Sequence, residues 1–120
     1  MPEPSPARAP RLVIVLNTAS TDTLAVALRY AVTAAAMDMM VELHAVGASA
    51  TLLRHDALDA ALLAQIRQAT ALGAALFACP AALADHGLAA DQLIAEVTGV
   101  RGAASLLSAG FEPGARFMVF

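Results

Sequence analysis

The chain contains no lysine and no tryptophan, and its 120 residues include one cysteine and one tyrosine. A single cysteine excludes an internal disulfide and any dithiol redox site of the Cys-x-x-Cys type. Charged residues make up only 14% of the chain and hydrophobic residues 59%, which excludes a disordered protein. The seven basic residues, all arginine, are scattered and the net charge is −3, so we expect no direct binding of nucleic acid.

Long hydrophobic runs are also missing. The longest uncharged stretch, residues 68–84, contains Gly73 and Pro80 and is rich in alanine, so we expect no transmembrane helix. Residues 1–10 contain four prolines and predict a disordered arm, and the apolar run after them is too short for a signal peptide. We therefore expect one domain over residues 11–120, located in a reducing cytoplasm. Its apolar surplus predicts burial between subunits of a homo-oligomer.

The elements that the sequence does contain alternate between strands and helices. Strands are predicted over residues 11–17, 40–46, 74–79 and 115–120, with a short strand or turn near Val100. Helices are predicted over residues 24–37, 57–72 (capped by Asp56), 80–86, 88–97 and 104–110. Residues 48–53 predict a short strand or an irregular turn. This alternation predicts a three-layer α/β/α fold around a mainly parallel sheet of five strands.

Cys79 is the most informative residue, because it ends a predicted central strand and directly precedes Pro80, the predicted first residue of a helix. Ligands and reactive groups gather beyond the carboxyl ends of parallel strands, and a helix N-terminus favours a thiolate over a thiol. A reactive thiol and a small buried apolar side chain both remain open. Asn17 and Thr18 follow the first strand, where they either face the same cleft or only cap the next helix.

Spacing narrows the chemistry of Cys79. Phosphatase and rhodanese loops place an arginine shortly after their cysteine, whereas the next arginine here is Arg101, so a phosphate cradle is not expected. A papain-like site would need one of His44, His55 or His86 beside the thiol, which the sequence leaves open. A metal site built from these histidines and Cys79 lacks tight ligand spacing. We expect the histidines at the surface or beside the cleft, and neither a metal nor a cofactor.

The second half of the chain resembles the DsrE/DsrF-like family of small sulfur-relay proteins. In that family a strand ends in a cysteine, a short helix leads to a Gly-Leu step, and a glycine turn precedes the last helix and strand. The matching residues here are Cys79, His86-Gly87-Leu88 and Gly102-Ala103. The segments LVIVLNT and VELHAVG of the first half are also similar to the family, so the resemblance extends over about residues 11–120.

The resemblance implies a fold, an assembly and an activity. It implies a five-stranded α/β/α fold and a homo-oligomer, commonly a trimer or a hexamer. It also implies that Cys79 accepts sulfane sulfur as a persulfide, as in a sulfurtransferase, between a donor protein and an acceptor protein. Pro80, His86, Asn17 and Thr18 are then candidates to line the cleft around Cys79. The alternatives are a non-catalytic scaffold subunit and a regulator that binds a small ligand or a metal.

Overall fold

The computed structural model describes residues 10–120, so the predicted disordered arm, apart from Pro10, lies outside the described residues. Five strands form one sheet in the order β4-β3-β2-β1-β5, and every neighbouring pair is parallel. The strands are β1 (Arg11–Leu16), β2 (Met40–Ala45), β3 (Ala75–Ala78), β4 (Gly99–Val100) and β5 (Ala115–Val119). The predicted α/β class is confirmed, and the sheet is parallel throughout.

Four α-helices connect these strands: α1 (Thr21–Ala36), α2 (Ala60–Ala71), α3 (Pro80–Asp85) and α4 (Ala103–Gly110). Two 3₁₀ helices complete the connections, at Gly47–Leu53 and Ala90–Gln92. The first helix begins where the sequence offers a capping hydroxyl, since Ser20 Oγ accepts a hydrogen bond from the backbone N–H of Thr23 at 3.2 Å. Within residues 10–120, no helix has the length and apolar character needed to cross a bilayer.

The two faces of the sheet differ in their covering layers. Leu12, Ile14 and Leu16 of β1 join the main core, which α1, α2 and α3 cover together with the loops. Val13, on the opposite side of the same strand, packs against Leu106 and Ala109 of α4 in a much smaller cluster. We call the first side the covered face and the second side the open face. The split follows from topology, because right-handed crossovers place α4 opposite the other helices when the chain returns from β4 to β5.

The predicted start of the second long helix is wrong by three residues. Asp59 rather than Asp56 is the N-cap of α2, since its Oδ1 accepts a hydrogen bond from Leu62 N at 2.8 Å. Asp56 pairs with Arg54 instead, with 3.1 Å between Arg54 Nε and Asp56 Oδ1. Both aspartates are suitable caps, and the tertiary position of the preceding turn selects the later one.

Residues 88–97 contain one turn of 3₁₀ helix and not the predicted α-helix. Leu93 forms an isolated antiparallel bridge with Arg54, and Ile94 N donates to Leu53 O at 2.8 Å. These bonds pull the segment into an extended path and place the Leu93 and Ile94 side chains in the main core. Tertiary pairing thus overrides local helix propensity. Residues 48–53, predicted as a strand or a turn, form most of the 3₁₀ helix Gly47–Leu53.

Candidate functional site

Cys79 lies at the junction between β3 and α3, as the N-cap residue of that helix. Its backbone is fixed on both sides, because Cys79 N donates to Ala45 O of the neighbouring strand at 3.0 Å and Leu83 N donates to Cys79 O at 3.0 Å. Cys79 is partly exposed and packs against the main core. The structure therefore places one anchored, partly buried cysteine at the carboxyl edge of the sheet.

This junction lies at the topological switch point of the sheet. The chain after β3 continues into α3, which packs with the covered face, whereas the chain after the adjacent strand β4 continues into α4 on the open face. A crevice forms between two strands whose connections diverge in this way, and ligands of open α/β sheets bind there. The two helix starts are in contact, since a Cβ added at Gly102, the N-cap of α4, would lie 3.7 Å from Pro80 Cγ.

Backbone donors are available beside the thiol. The helical pattern of α3 starts with the bond from Leu83 N to Cys79 O, so Ala81 and Ala82 are first-turn residues whose N–H groups have no carbonyl partner within the helix. Pro80 has no N–H and provides the fixed φ that begins the helix. Such a turn suits an anionic sulfur atom better than an unordered loop does.

Asn17 and Thr18 lie on the same edge but not next to Cys79. They follow β1, which is two strands away from β3, a separation of about 10 Å. Asn17 N donates to Phe120 O at 2.8 Å, and both residues are exposed. Asn17 also explains why residue 47 is a glycine. Its φ is +55°, and a Cβ added there would lie only 2.8 Å from Asn17 Oδ1.

His86 lies at the opposite end of α3 from Cys79. It is the C-cap of that helix and is exposed. The intervening six-residue helix separates it from Cys79 by about 10 Å along the axis. The structure thus brings Pro80 into direct sequence and spatial contact with Cys79, places Asn17 and Thr18 farther along the edge, and holds His86 away from it.

Ser49 is a residue of this edge that the sequence pattern did not single out. It is completely buried, and its Oγ lies 2.5 Å from Leu16 O and 2.8 Å from Val46 O. The hydroxyl ties the 3₁₀ helix after β2 to the end of β1, between Asn17 and Cys79. The available signal was a serine three residues after Val46, the spacing at which a side chain bonds back to the main chain.

The three histidines lie on separate elements. His44 is in β2, His55 follows the first 3₁₀ helix, and His86 ends α3. Across the described residues, no three His, Cys, Asp or Glu side chains come together in a way that could hold a metal ion. The arrangement gives no geometric basis for a site made of histidines and Cys79.

His44 is the most unusual of the three, because it is 1% exposed in the centre of the open face. Neither ring nitrogen has a hydrogen-bond partner among the described residues. The carboxylate oxygen Glu42 Oε1 lies 3.5 Å from Nε2, but the two atoms do not form a hydrogen bond. Burial lowers the pKa of His44 below its usual 6.5; the Glu42 carboxylate opposes this shift, and Arg101 adds to it.

Comparison with known proteins identifies the fold. No protein-family model and no curated protein matches the chain. Solved structures do match: YchN from E. coli has a TM-score of 0.78 at 17% identity, covering 92% of this chain and 99% of that chain. The protein of unknown function MTH1491 from Methanobacterium thermoautotrophicum matches with a TM-score of 0.76 at 17% identity and with the same coverage. BT1422 from Bacteroides thetaiotaomicron, also of unknown function, matches with a TM-score of 0.72 at 19% identity, covering 92% of this chain and 94% of that chain. The chain shares their fold.

Proposed function

We propose that the protein is a sulfur carrier of the DsrE/DsrF-like type, in which Cys79 accepts sulfane sulfur and passes it to a partner protein. The observation that carries this proposal is the position of Cys79, a partly exposed cysteine at the switch point of a parallel sheet. The resemblance at Cys79, His86-Gly87-Leu88 and Gly102-Ala103 supports it, and the matching structures agree in fold.

The chemistry requires one nucleophilic sulfur and no change of oxidation level. The Cys79 thiolate attacks the outer sulfur of a donor persulfide R–S–SH. The bond between Cys79 Sγ and that sulfur forms, the donor S–S bond breaks, and RS⁻ leaves. A thiolate of the acceptor then attacks the outer sulfur of Cys79–S–SH, which returns Cys79 as a thiolate. The N–H groups of Ala81 and Ala82 are the nearest first-turn donors for the anionic forms, although neither bonds the Cys79 side chain in the structure.

The absence of a second cysteine suits a carrier. A second thiol in the same chain would attack the persulfide and release the sulfur as hydrogen sulfide while forming a disulfide. With Cys79 alone, the persulfide persists until a thiol of another protein reaches it. We expect the protein to act in a reducing cytoplasm, between a donor protein and an acceptor protein, as a sulfurtransferase in the broad sense.

We also propose that the chain forms a homo-oligomer, for which the resemblance implies a trimer or a hexamer. Large apolar side chains are exposed along α4 and β5: Phe111 is 77% exposed, Val119 69% and Leu107 48%. Such a patch at the end of the open face is typical of a protein contact. Light scattering after size-exclusion chromatography should give a multiple of the 12.2 kDa chain mass, reduced by Val119→Glu. A monomeric mass for the unaltered chain would reject the assembly.

The persulfide proposal is tested by intact-mass spectrometry. The protein, reduced and freed of small thiols, is incubated with a low-molecular-weight persulfide. We expect the mass to increase by one sulfur atom in the unaltered protein and not in Cys79→Ser, which keeps the size of the side chain. Thr33→Ala, at an exposed position of α1 away from this edge, serves as a control and should load normally. No added sulfur, or equal addition to Cys79→Ser, would reject Cys79 as the acceptor.

A scaffold without sulfur chemistry is the second candidate, favoured by the packing of Cys79 against the main core. The two functions differ in the reactivity of the thiol. A carrier thiol reacts with a chromogenic disulfide in the native protein at a rate similar to that of an unfolded control. A scaffold thiol reacts only after denaturation.

A further inference from the structure

The open face carries a second feature, separate from the edge at Cys79. A groove of about 310 Å³ runs over the amino-terminal halves of β2 and β3 toward the end of β4. Its lining is apolar along Met40, Val41, Ala75 and Phe77, and charged at Arg11, Glu42 and Arg101. Its volume is in the range of small-molecule sites.

Arg101 supplies the first reason to expect an anionic ligand. Its guanidinium carbon lies 4.4 Å from the centroid of the Phe77 ring, and the side chain is exposed. Among the described residues no carboxylate forms an ion pair with it. A guanidinium that packs over an aromatic face can still donate its N–H groups to a carboxylate.

The buried ring of His44 supplies the second reason. His44 contacts two residues of the groove lining, since its ring lies 5.1 Å from the Phe77 centroid and its Nε2 lies 3.5 Å from Glu42 Oε1. Both ring nitrogens lack a partner within residues 10–120, although the side chain is almost fully buried. Buried polar atoms in native proteins are nearly always hydrogen-bonded, so an orphan pair points to a missing partner.

Glu42 connects the two observations. Its Oε2 accepts a hydrogen bond from Arg11 Nη1 at 2.9 Å, while its Oε1 lies 3.5 Å from His44 Nε2 without forming a hydrogen bond. An anion that took over Arg11 would allow Glu42 to move by roughly half an ångström toward His44 Nε2, which completes a hydrogen bond. Two guanidinium groups against one carboxylate leave the groove one positive charge in excess while His44 is neutral, which matches a monoanion.

We propose that this groove binds a small organic carboxylate with an apolar body, the carboxylate between Arg101 and Arg11 and the body along Met40, Ala75 and Phe77. Binding transfers Glu42 from Arg11 to His44. The site does not depend on the sulfur chemistry of Cys79, since neither Cys79 nor α3 lines the groove.

The test uses benzoate as the probe, followed by calorimetry and by the ring signals of His44 in NMR spectra. We expect saturable binding of benzoate with a shift of the His44 ring signals, and at least about tenfold weaker binding of benzyl alcohol, which lacks the charge. Arg101→Gln should weaken benzoate binding by about tenfold or more. Arg29→Gln, which alters an exposed arginine on α1, and Cys79→Ser should leave benzoate binding unchanged.

Several results would overturn the proposal. These are the absence of saturable benzoate binding, equal binding of benzyl alcohol, or benzoate binding that is unaffected by Arg101→Gln. Binding of inorganic phosphate without benzoate would overturn the carboxylate assignment. If Arg101→Gln dissociates the oligomer while benzoate binding is unchanged, the groove is a subunit contact. The His44 signals require no variant, so the test stands even if Arg101→Gln folds poorly.

Discussion

The covered and open faces of one sheet are built on different physical principles. On the covered face, Leu12, Ile14 and Leu43 are buried in an apolar core that three helices close. On the open face, the neighbouring positions carry Glu42 and His44, buried but polar, beside the part of the sheet that the single short helix α4 covers. The first face provides most of the apolar burial, and the second holds buried polar groups at a cost in stability.

The largest expected effect comes from truncating adjacent residues of β1 that point to opposite faces. Ile14→Ala should lower the free energy of unfolding by about 2–5 kcal/mol, because Ile14 is completely buried in the main core. Val15→Ala, on the open face and only partly buried, should cost about 1 kcal/mol or less. Urea unfolding measures both. Ile14→Ala removes one methylene more than Val15→Ala does, which alone explains a difference of roughly 0.8 kcal/mol between the two losses. A smaller difference would contradict the comparison of the two faces.

The next effect distinguishes a carboxylate of the open face from one near the covered face. Glu42→Gln should cost about 1.5–3 kcal/mol, because Glu42 is largely buried and accepts a charge-assisted bond from Arg11. Glu96→Gln should cost less than about 0.5 kcal/mol, because its partner Arg67 is mostly exposed. Both substitutions preserve shape, so chemical denaturation compares the charges directly. Equal losses would show that the open face is as well solvated as the surface.

The smallest effect is also the most pH-dependent. His44→Leu removes two unpartnered buried nitrogens and should raise the free energy of unfolding by about 1 kcal/mol at about pH 7.5. The pKa of His44 is lowered in the folded protein by burial, so the unfolded chain binds a proton first as the pH falls through 6.5. The unaltered protein therefore loses stability below that pH.

The variant lacks this loss, so its advantage over the unaltered protein should grow as the pH is lowered. His55→Leu, at an exposed position, is the matched control and should change neither the stability nor its pH dependence appreciably. Denaturation midpoints across the pH range give the result. An advantage that shrinks toward acid pH would mean that His44 is stabilised as a cation in the fold.

The strands and the alternation were predictable from the sequence because a continuous run such as residues 11–17 has few other stable solutions. Boundaries that depend on tertiary contacts were not. The choice of Asp59 over Asp56 and the extended path at Leu93 both depend on where Arg54 lies. Local propensity carries no information on such pairings.

The same division applies to the site. The strand end at Cys79 could be predicted because strand and helix patterns meet there, and the predicted helix over residues 80–86 agrees with the position of His86 at the end of α3. The groove of the open face could not be predicted from the sequence, because Arg11, Glu42 and Arg101 are far apart in the chain and come together only through the strand order.

The central claim is that Cys79 carries sulfur between proteins, and the most direct test is its discharge. The protein is loaded with isotopically labelled sulfane sulfur, separated from the donor, and mixed with an equimolar amount of an acceptor protein that has a single thiol, so that no second thiol destroys the new persulfide. Our account predicts that the protein returns to its original mass while the label appears as a persulfide on the acceptor. Label that stays on the protein, or a mixed disulfide at Cys79 in place of transfer, would contradict it.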